Sequence, residues 1–264
     1  LHKEYRRQRQ MCIRDRSNPL PFLKALISAR GDSRLDDAYL RMKAKRMARD
    51  YQSLFGGLAK EFHVTLVAGS IILPEPSVSQ GNLQIGSGAL YNSSLVFGSD
   101  GLPMGQPQRQ IYPTYAESGY VKGDADKALE VIDTPAGRLG VLIGSDSWYP
   151  DNYRKLNDQH AQLVAVPAFV MGRDGWDKPW RGYKSIATPS EVSLKPEEVS
   201  EGEAWHRLTL TARAPSSLAS AGVSVFLRGQ FWDQRSSGQS FINSNGQTFA
   251  DDGNRGARLL NIWL

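Results

Sequence analysis

Apolar residues recur every three or four positions from Leu40 to Phe62 (Leu40, Ala44, Met47, Tyr51, Leu54, Leu58, Phe62), with Lys43, Lys45, Arg46 and Arg49 between them. That spacing predicts an amphipathic helix with a solvated basic face. Gly56-Gly57 interrupts it at roughly 1 kcal/mol each relative to alanine, tolerable where a neighbour packs closely. Ahead of it, Pro19, Pro21 and Gly31-Asp32-Ser33 hold residues 17–38 to a loop with at most one short helix. After it the pattern changes to β. Val64 to Leu73 is rich in β-branched residues and is expected to end at Pro74-Glu75-Pro76. Residues 77–88 are polar and glycine-rich and are expected to be loop. Ala89 to Phe97 reads as a second strand, antiparallel to the first and turning at Ser99-Asp100-Gly101.

Leu129 to Asp133 is a short strand, followed by a turn over 134–137. Leu139 to Ile143 is too short for a helix and long enough for a buried strand, and it breaks at Gly144. Pro150-Asp151 suits the opening of a helix running to His160, and Ala161 to Pro167 is a further buried strand. From Gly172 to Gly202 the chain reads as an irregular insertion, with Trp176, Trp180 and Tyr183 either along a pocket or in the interior. Trp205 to Ala214 is expected as a helix, and Val223 to Leu227, Ser240 to Ile242 and Arg258 to Leu264 as strands. Alternating strands and helices imply an α/β fold.

Composition narrows the partners. The chain of 264 residues is 40% hydrophobic and 22% charged, ordinary for a soluble globular protein, and no apolar run nears the ~18 residues that span a bilayer. The lone Cys12 excludes an internal disulfide framework and a cysteine zinc cluster. Residues 1–16 hold six Lys/Arg against two Asp/Glu, and removing that +4 from the net +5 leaves +1 for residues 17–264. No basic footprint for nucleic acid remains. Residues 1–16 read as a non-native or disordered basic segment, because Arg9 to Arg16 resembles translated sequencing-adapter read-through; a genuine solvated basic arm is the other reading. The segment is expected not to pack on the single domain at 17–264. A cytoplasmic location is the expectation, with neither membrane nor nucleic acid as partner.

The chemistry concentrates at Gly137 to Asp151: a strand, a tight elbow and a helix. α/β enzymes mount nucleophiles on such elbows, where the side chain clears the sheet beside backbone N–H donors. This stretch resembles the elbow of the nitrilase superfamily of carbon–nitrogen hydrolases, roughly Gly-Val-Leu-Ile-Cys-x-Asp-x-x-x-Pro-Glu. Aligned on Ile143, Asp146 and Pro150, the family's catalytic cysteine falls on Gly144. Asn92-Ser93 and Asp100-Gly101 match further family steps. Arg109 to Glu117 resembles the lysine loop, with the lysine position at Gln110 or, shifted by one, at Arg109, and Glu117 in place of the second glutamate. Ala212-Arg213-Ala214 resembles the family's Arg-Ala-x-Glu-Asn helix, with Pro215-Ser216-Ser217 where Glu-Asn would follow. Gly238 to Gly246 resembles its Gly-x-Ser-x-Ile…Gly hairpin. The resemblance covers roughly residues 40–264 and implies a four-layer α-β-β-α sandwich. The family's opening strand–helix–strand unit, whose Pro-Glu end supplies the general base, has no match before Leu40. A sandwich without that unit, and a truncated chain, are therefore expected.

Nitrilase chemistry needs a thiolate to attack, a glutamate to take its proton and a lysine to stabilise the anion. With Gly144 and Gln110 in two of those positions, the expectation is a nitrilase-like domain that has lost catalysis. It would keep a pocket for an amide- or nitrile-like ligand among Glu117, Asp146, Trp148 and Tyr149. Asp146 reads as an elbow hydrogen-bond acceptor rather than a metal ligand. The alternative is an active amidase-type hydrolase of non-peptide C–N bonds that uses Ser145, one residue late, or residues missing upstream. His63, His160 and His206 read as surface or structural. Without Walker, Rossmann, His-Glu-x-x-His or Gly-x-Ser-x-Gly motifs, no cofactor and no metal are expected. The resemblance also implies a homodimer through residues 150–160, with Tyr153 and Leu156 exposed there.

Overall fold

The computed structural model describes residues 19–30, 32–115, 117–125, 129–183, 185, 188–189, 194–210, 219, 221–231, 234–250, 257 and 259–263. The basic segment 1–16, and residues 212–217 of the matched helix, lie outside them. Helix α1 (Pro19–Ser28) is followed by the amphipathic helix α2 (Arg34–Glu61), which starts six residues before the periodic pattern does. Gly56 sits where α2 touches the turn at Gly101: a Cβ on Gly56 would stand 2.5 Å from the Gly101 carbonyl oxygen, whereas one on Gly57 meets nothing within 4 Å.

The first sheet is antiparallel throughout. It comprises β1 (Leu66–Val67), β2 (Ile71–Ser79), β3 (Asn82–Phe97) and β4 (Pro103–Arg109). Ser93 pairs with Ile71 on one side and Arg109 on the other, and Val96 with Val67 and Met104, so β1 and β2 share one flank of β3 and β4 takes the other. Two expectations are corrected here. The strand from Val64 divides between β1 and β2, and it runs through Pro74-Glu75-Pro76 instead of ending there. The register shifts between Pro74 and Pro76, a bulge that accommodates prolines without costing ladder bonds. Residues 77–88 are the two arms of a hairpin, not a loop, closed by Gln80-Gly81 with φ of 50° and 72°. The glycines that suggested a loop make room for Glu75. Its Oε2 accepts the Gly88 N–H at 2.9 Å, in space that a Cβ on Gly86 or Gly88 would occupy.

The second sheet has six strands. Along the chain these are β5 (Ile132–Thr134), β6 (Gly137–Val141), β7 (Leu163–Ala168), β8 (Ala221–Phe226), β11 (Phe241–Ser244) and β12 (Gln247–Ala250), with β9 (Gly229–Phe231) and β10 (Gln234–Ser236) forming a separate small hairpin. The order is β12-β11-β8-β7-β6-β5; β6, β7 and β8 are parallel, and the outer pairs are antiparallel. Helix α3 (Pro150–Asp158) crosses from β6 to β7, and α4 (Glu201–Leu208) lies between β7 and β8. The helix expected from Trp205 starts four residues earlier, because Ser200 Oγ accepts the Glu203 N–H at 3.1 Å and caps it there. Residues 259–263 form no strand, against expectation. An apolar run becomes a strand only where a ladder partner takes its backbone groups.

Alternation along the strands builds four layers. Leu95 and Phe97 pack outward with Tyr51, Phe55 and Ala59 of α2, while Val96 points the other way, into a core shared with Leu139, Val141 and Ala165 of the second sheet. Leu142, Val164 and Val166 face the opposite side, with Tyr153 and Leu156 of α3 and Trp205 and Leu208 of α4. The result is the α-β-β-α sandwich. The exposed patch expected on α3 is absent: Tyr153 and Leu156 are each 1% exposed. Leu156 fills the space over Gly140, and the Tyr153 hydroxyl accepts the Leu210 N–H at 3.0 Å. Trp176 and Trp180 are interior residues of the same core, and among the expected structural histidines His63 and His160 are exposed while His206 packs on Phe241 and Trp176.

Candidate functional site

The chain leaves β6 and turns through a single 3₁₀ segment, Gly144–Trp148, before α3 begins. Gly144 has φ +55°, in the left-handed region that an L side chain enters at a cost of roughly 1–2 kcal/mol. A Cβ built on it meets nothing within 4 Å. Its carbonyl accepts the Ser147 hydroxyl at 2.8 Å, and Ser147 Oγ lies 3.1 Å from Thr209 Oγ1, both side chains fully buried. Ser145 is 6% exposed. The elbow is thus fixed from beneath and open at Gly144.

Asp146 is fully buried and does what an elbow acceptor should. Oδ2 accepts the Ile111 N–H and Oδ1 the Tyr112 N–H, both at 2.8 Å, and its carbonyl accepts Asn152 Nδ2 at 2.8 Å. Burial raises its carboxyl to about 7; the amides of Ile111 and Tyr112 oppose that rise, and the charge of Glu117 adds to it. Through Asp146 the elbow holds the strip that follows β4.

That strip begins at Gln110, which is buried. Its Oε1 accepts Asn92 Nδ2 at 3.0 Å, and its N–H bonds the Asn92 carbonyl at 2.8 Å. Arg109 is committed elsewhere. It pairs with Asp124 at 3.0 Å, donates to the Pro76 carbonyl at 3.1 Å and lies over the Tyr91 ring at 4.1 Å. Glu117 accepts the backbone N–H and the hydroxyl of Thr114, at 3.1 and 2.8 Å, and so caps its own turn. Tyr112 stacks on Tyr149 with centroids 3.9 Å apart, and Ser185 is hydrogen-bonded to Tyr149, whose hydroxyl burial pushes above its ordinary value. Trp148 is wholly interior, edge-on to Trp180, Tyr183 and Trp205.

The structure therefore brings Gly144, Asp146, Tyr149 and the 110–112 strip together, leaves Glu117 at the margin, and sends Trp148 into the core. The supports Ser147, Thr209 and Asn152 carried no signal in the sequence; Ser147 and Thr209 are far apart along the chain and meet only in the fold. A surface groove of about 460 Å³ lies along α2 between Asp50, Leu54, Leu58 and Glu61 and shares no residue with the elbow. Among the described residues no three His, Cys, Asp or Glu side chains cluster as a metal site, and no helix is long and apolar enough to cross a membrane.

Residues 46–217, more than half of the chain, match the family model described as carbon-nitrogen hydrolase. The chain belongs to the carbon–nitrogen hydrolase family. Among its relatives is a probable hydrolase, YhcX, of Bacillus subtilis, 28% identical over 127 residues that make up 48% of this chain and 22% of the relative. Another is the deaminated glutathione amidase of Yersinia enterocolitica, 27% identical over 169 residues, 61% of this chain and 53% of the relative. The fold is similar to that of a nitrilase-superfamily amidase from Nesterenkonia AN1, at TM-score 0.57 and 16% identity, covering 80% of this chain and 66% of that one. A variant of that amidase shows covalent addition of the acetamide moiety of fluoroacetamide at its active-site cysteine. The chain spans about a fifth and about half of the two curated relatives, and just under two thirds of the amidase.

Proposed function

We propose that this chain is a carbon–nitrogen hydrolase-family domain that accommodates an amide- or nitrile-like small molecule at the elbow without hydrolysing it. The observation that carries this reading is Gly144. It stands at the aligned nucleophile position, with a backbone of positive φ and an open Cβ direction, and has no atom with which to attack. The reading is supported by Gln110, a neutral amide bound to Asn92 where the resemblance expects a lysine, and by Arg109, engaged with Asp124 and Tyr91. A residue that acts only as part of a catalytic unit contributes little once the unit is broken.

The test is ammonia release from short aliphatic amides and nitriles by the purified chain. No release above background is expected, and Ser145→Ala is expected to change nothing. Gly144→Cys alone is not expected to restore turnover. A thiol near its free pKa of ~8.5 is only a few per cent ionised at neutral pH, and residue 110 offers no cation for the anion that forms. Hydrolysis by the unaltered chain that Ser145→Ala abolishes overturns the proposal in favour of a serine-based amidase.

A further inference from the structure

Two consecutive backbone N–H groups, those of Ile111 and Tyr112, converge on the two oxygens of one buried carboxylate. This clasp joins the strip that carries Gln110 to the elbow two residues beyond Gly144, and the group that makes it has a proton to gain. As a carboxylate, Asp146 accepts both amides. As a carboxylic acid it carries the proton on one of the two oxygens, and the amide on that hydroxyl oxygen is left with a poorer acceptor. A buried amide without its acceptor costs about 1–3 kcal/mol, so weakening one of the two loosens a three-residue strip that is not itself in a strand.

We infer that Asp146 is a pH-operated latch between the elbow and the 110–112 strip, closed on both amides when ionised and open on one when protonated. Among the described residues, few groups act on it. Glu117, from the turn after the strip, opposes ionisation by like charge. The phenols of Tyr112 and Tyr149, stacked on each other, sit on the two elements that the latch joins and sense its charge. From α3, Asn152 is neutral and binds the Asp146 carbonyl rather than its carboxylate. Burial and Glu117 bring the carboxyl up to about 7, which places the opening near neutral pH. The strip then closes on the elbow above neutral pH and loosens below it. The latch goes beyond the proposed function and holds whether or not the elbow turns over a substrate.

The experiment follows the backbone amide resonances of Ile111 and Tyr112, with the aromatic circular dichroism of the Tyr112–Tyr149 stack, in the full chain between about pH 5 and about pH 9. Both signals are expected to move together with a midpoint near 7. Glu117→Gln, which keeps an acceptor for Thr114 but loses the charge, is expected to shift that midpoint downward. Asp146→Asn is expected to abolish the transition. A flat profile in the unaltered chain, a midpoint that Glu117→Gln leaves in place or raises, or a transition that survives Asp146→Asn overturns the latch. If Asp146→Asn does not fold, the direction of the Glu117→Gln shift decides alone.

Discussion

At the residue scale, Gly144 and Asp146 stand two positions apart with opposite demands. Gly144 needs its lack of a side chain for backbone reasons alone, since a Cβ there would meet nothing within 4 Å. Gly144→Ala is therefore expected to cost about 1–2 kcal/mol from the left-handed backbone alone, with no packing penalty, as read by urea unfolding. Asp146 makes stability depend on pH in a direction fixed by its shift. Its carboxyl titrates near 3.8 when exposed and near 7 when folded, so between those values the folded chain keeps a proton that the unfolded chain has released. Its contribution is full below about pH 4 and is lost as pH rises through about 7. Unfolding midpoints of the unaltered chain, taken relative to Asp146→Asn, are expected to fall across that window and to level off above it; parallel profiles would refute the shift. Desolvation of the charge outweighs the two amide bonds, so the closed latch is also the less stable one. That Asp146 is an acceptor at the elbow was legible from its place in the motif. That its donors are Ile111 and Tyr112 was not, because hydrogen bonds across the fold leave no local trace.

At the element scale, the paired glycines of α2 separate two effects that the sequence shows as one. Gly57 is exposed with open space at its Cβ, and Gly57→Ala is expected to stabilise the chain by up to about 1 kcal/mol through helix propensity. Gly56→Ala gains the same propensity but drives its Cβ into the Gly101 carbonyl, and it is expected to destabilise; thermal unfolding of the two variants should shift in opposite senses. At α4, Ser200→Ala is expected to remove about 1 kcal/mol by leaving the Glu203 N–H without its cap, again read by unfolding. The periodicity of α2 could be read directly, and the apolar run expected at Leu139 to Ile143 did give β6, though the strand starts at Gly137 and its ladder stops at Val141. The hairpin across residues 77–88 could not. Its Gly86 and Gly88 make room for Glu75 and the prolines ahead of it, Pro74 and Pro76, mark a bulge, and both look like loop until the partner strand is known.

At the scale of the whole molecule, the two sheets differ in width. The first is β3 with one flank of β1 and β2 and another of β4; the second is six strands across. Val223 belongs to the core between the sheets, and its register partners continue the same face through Ile242 to Phe249, with Val225 two residues on. Val225 and Phe249 are 56% and 54% exposed, so part of the inner face of the second sheet lies uncovered. An apolar dye such as anilinonaphthalene sulfonate is expected to bind there. Val225→Thr with Phe249→Ser should cut its fluorescence while changing stability little, as surface substitutions do. An unchanged dye signal would place the exposed apolar surface elsewhere.

The sequence by itself determined the α/β order, the amphipathic helix, the elbow from β6 into α3, and the glycine at its apex. All of these rest on periodicity or on residues adjacent in the chain, where backbone geometry and side-chain chemistry act over a few positions. Tertiary structure alone decided that Tyr153 and Leu156 are core rather than surface, that Trp148 belongs to an aromatic interior, and that Arg109 is taken by Asp124 and Tyr91 while Gln110 joins Asn92. The reason is one of alternatives. A helix has one apolar stripe and a strand two faces, and the pattern shows which residues share a side. Which side meets another layer depends on where distant segments come to rest.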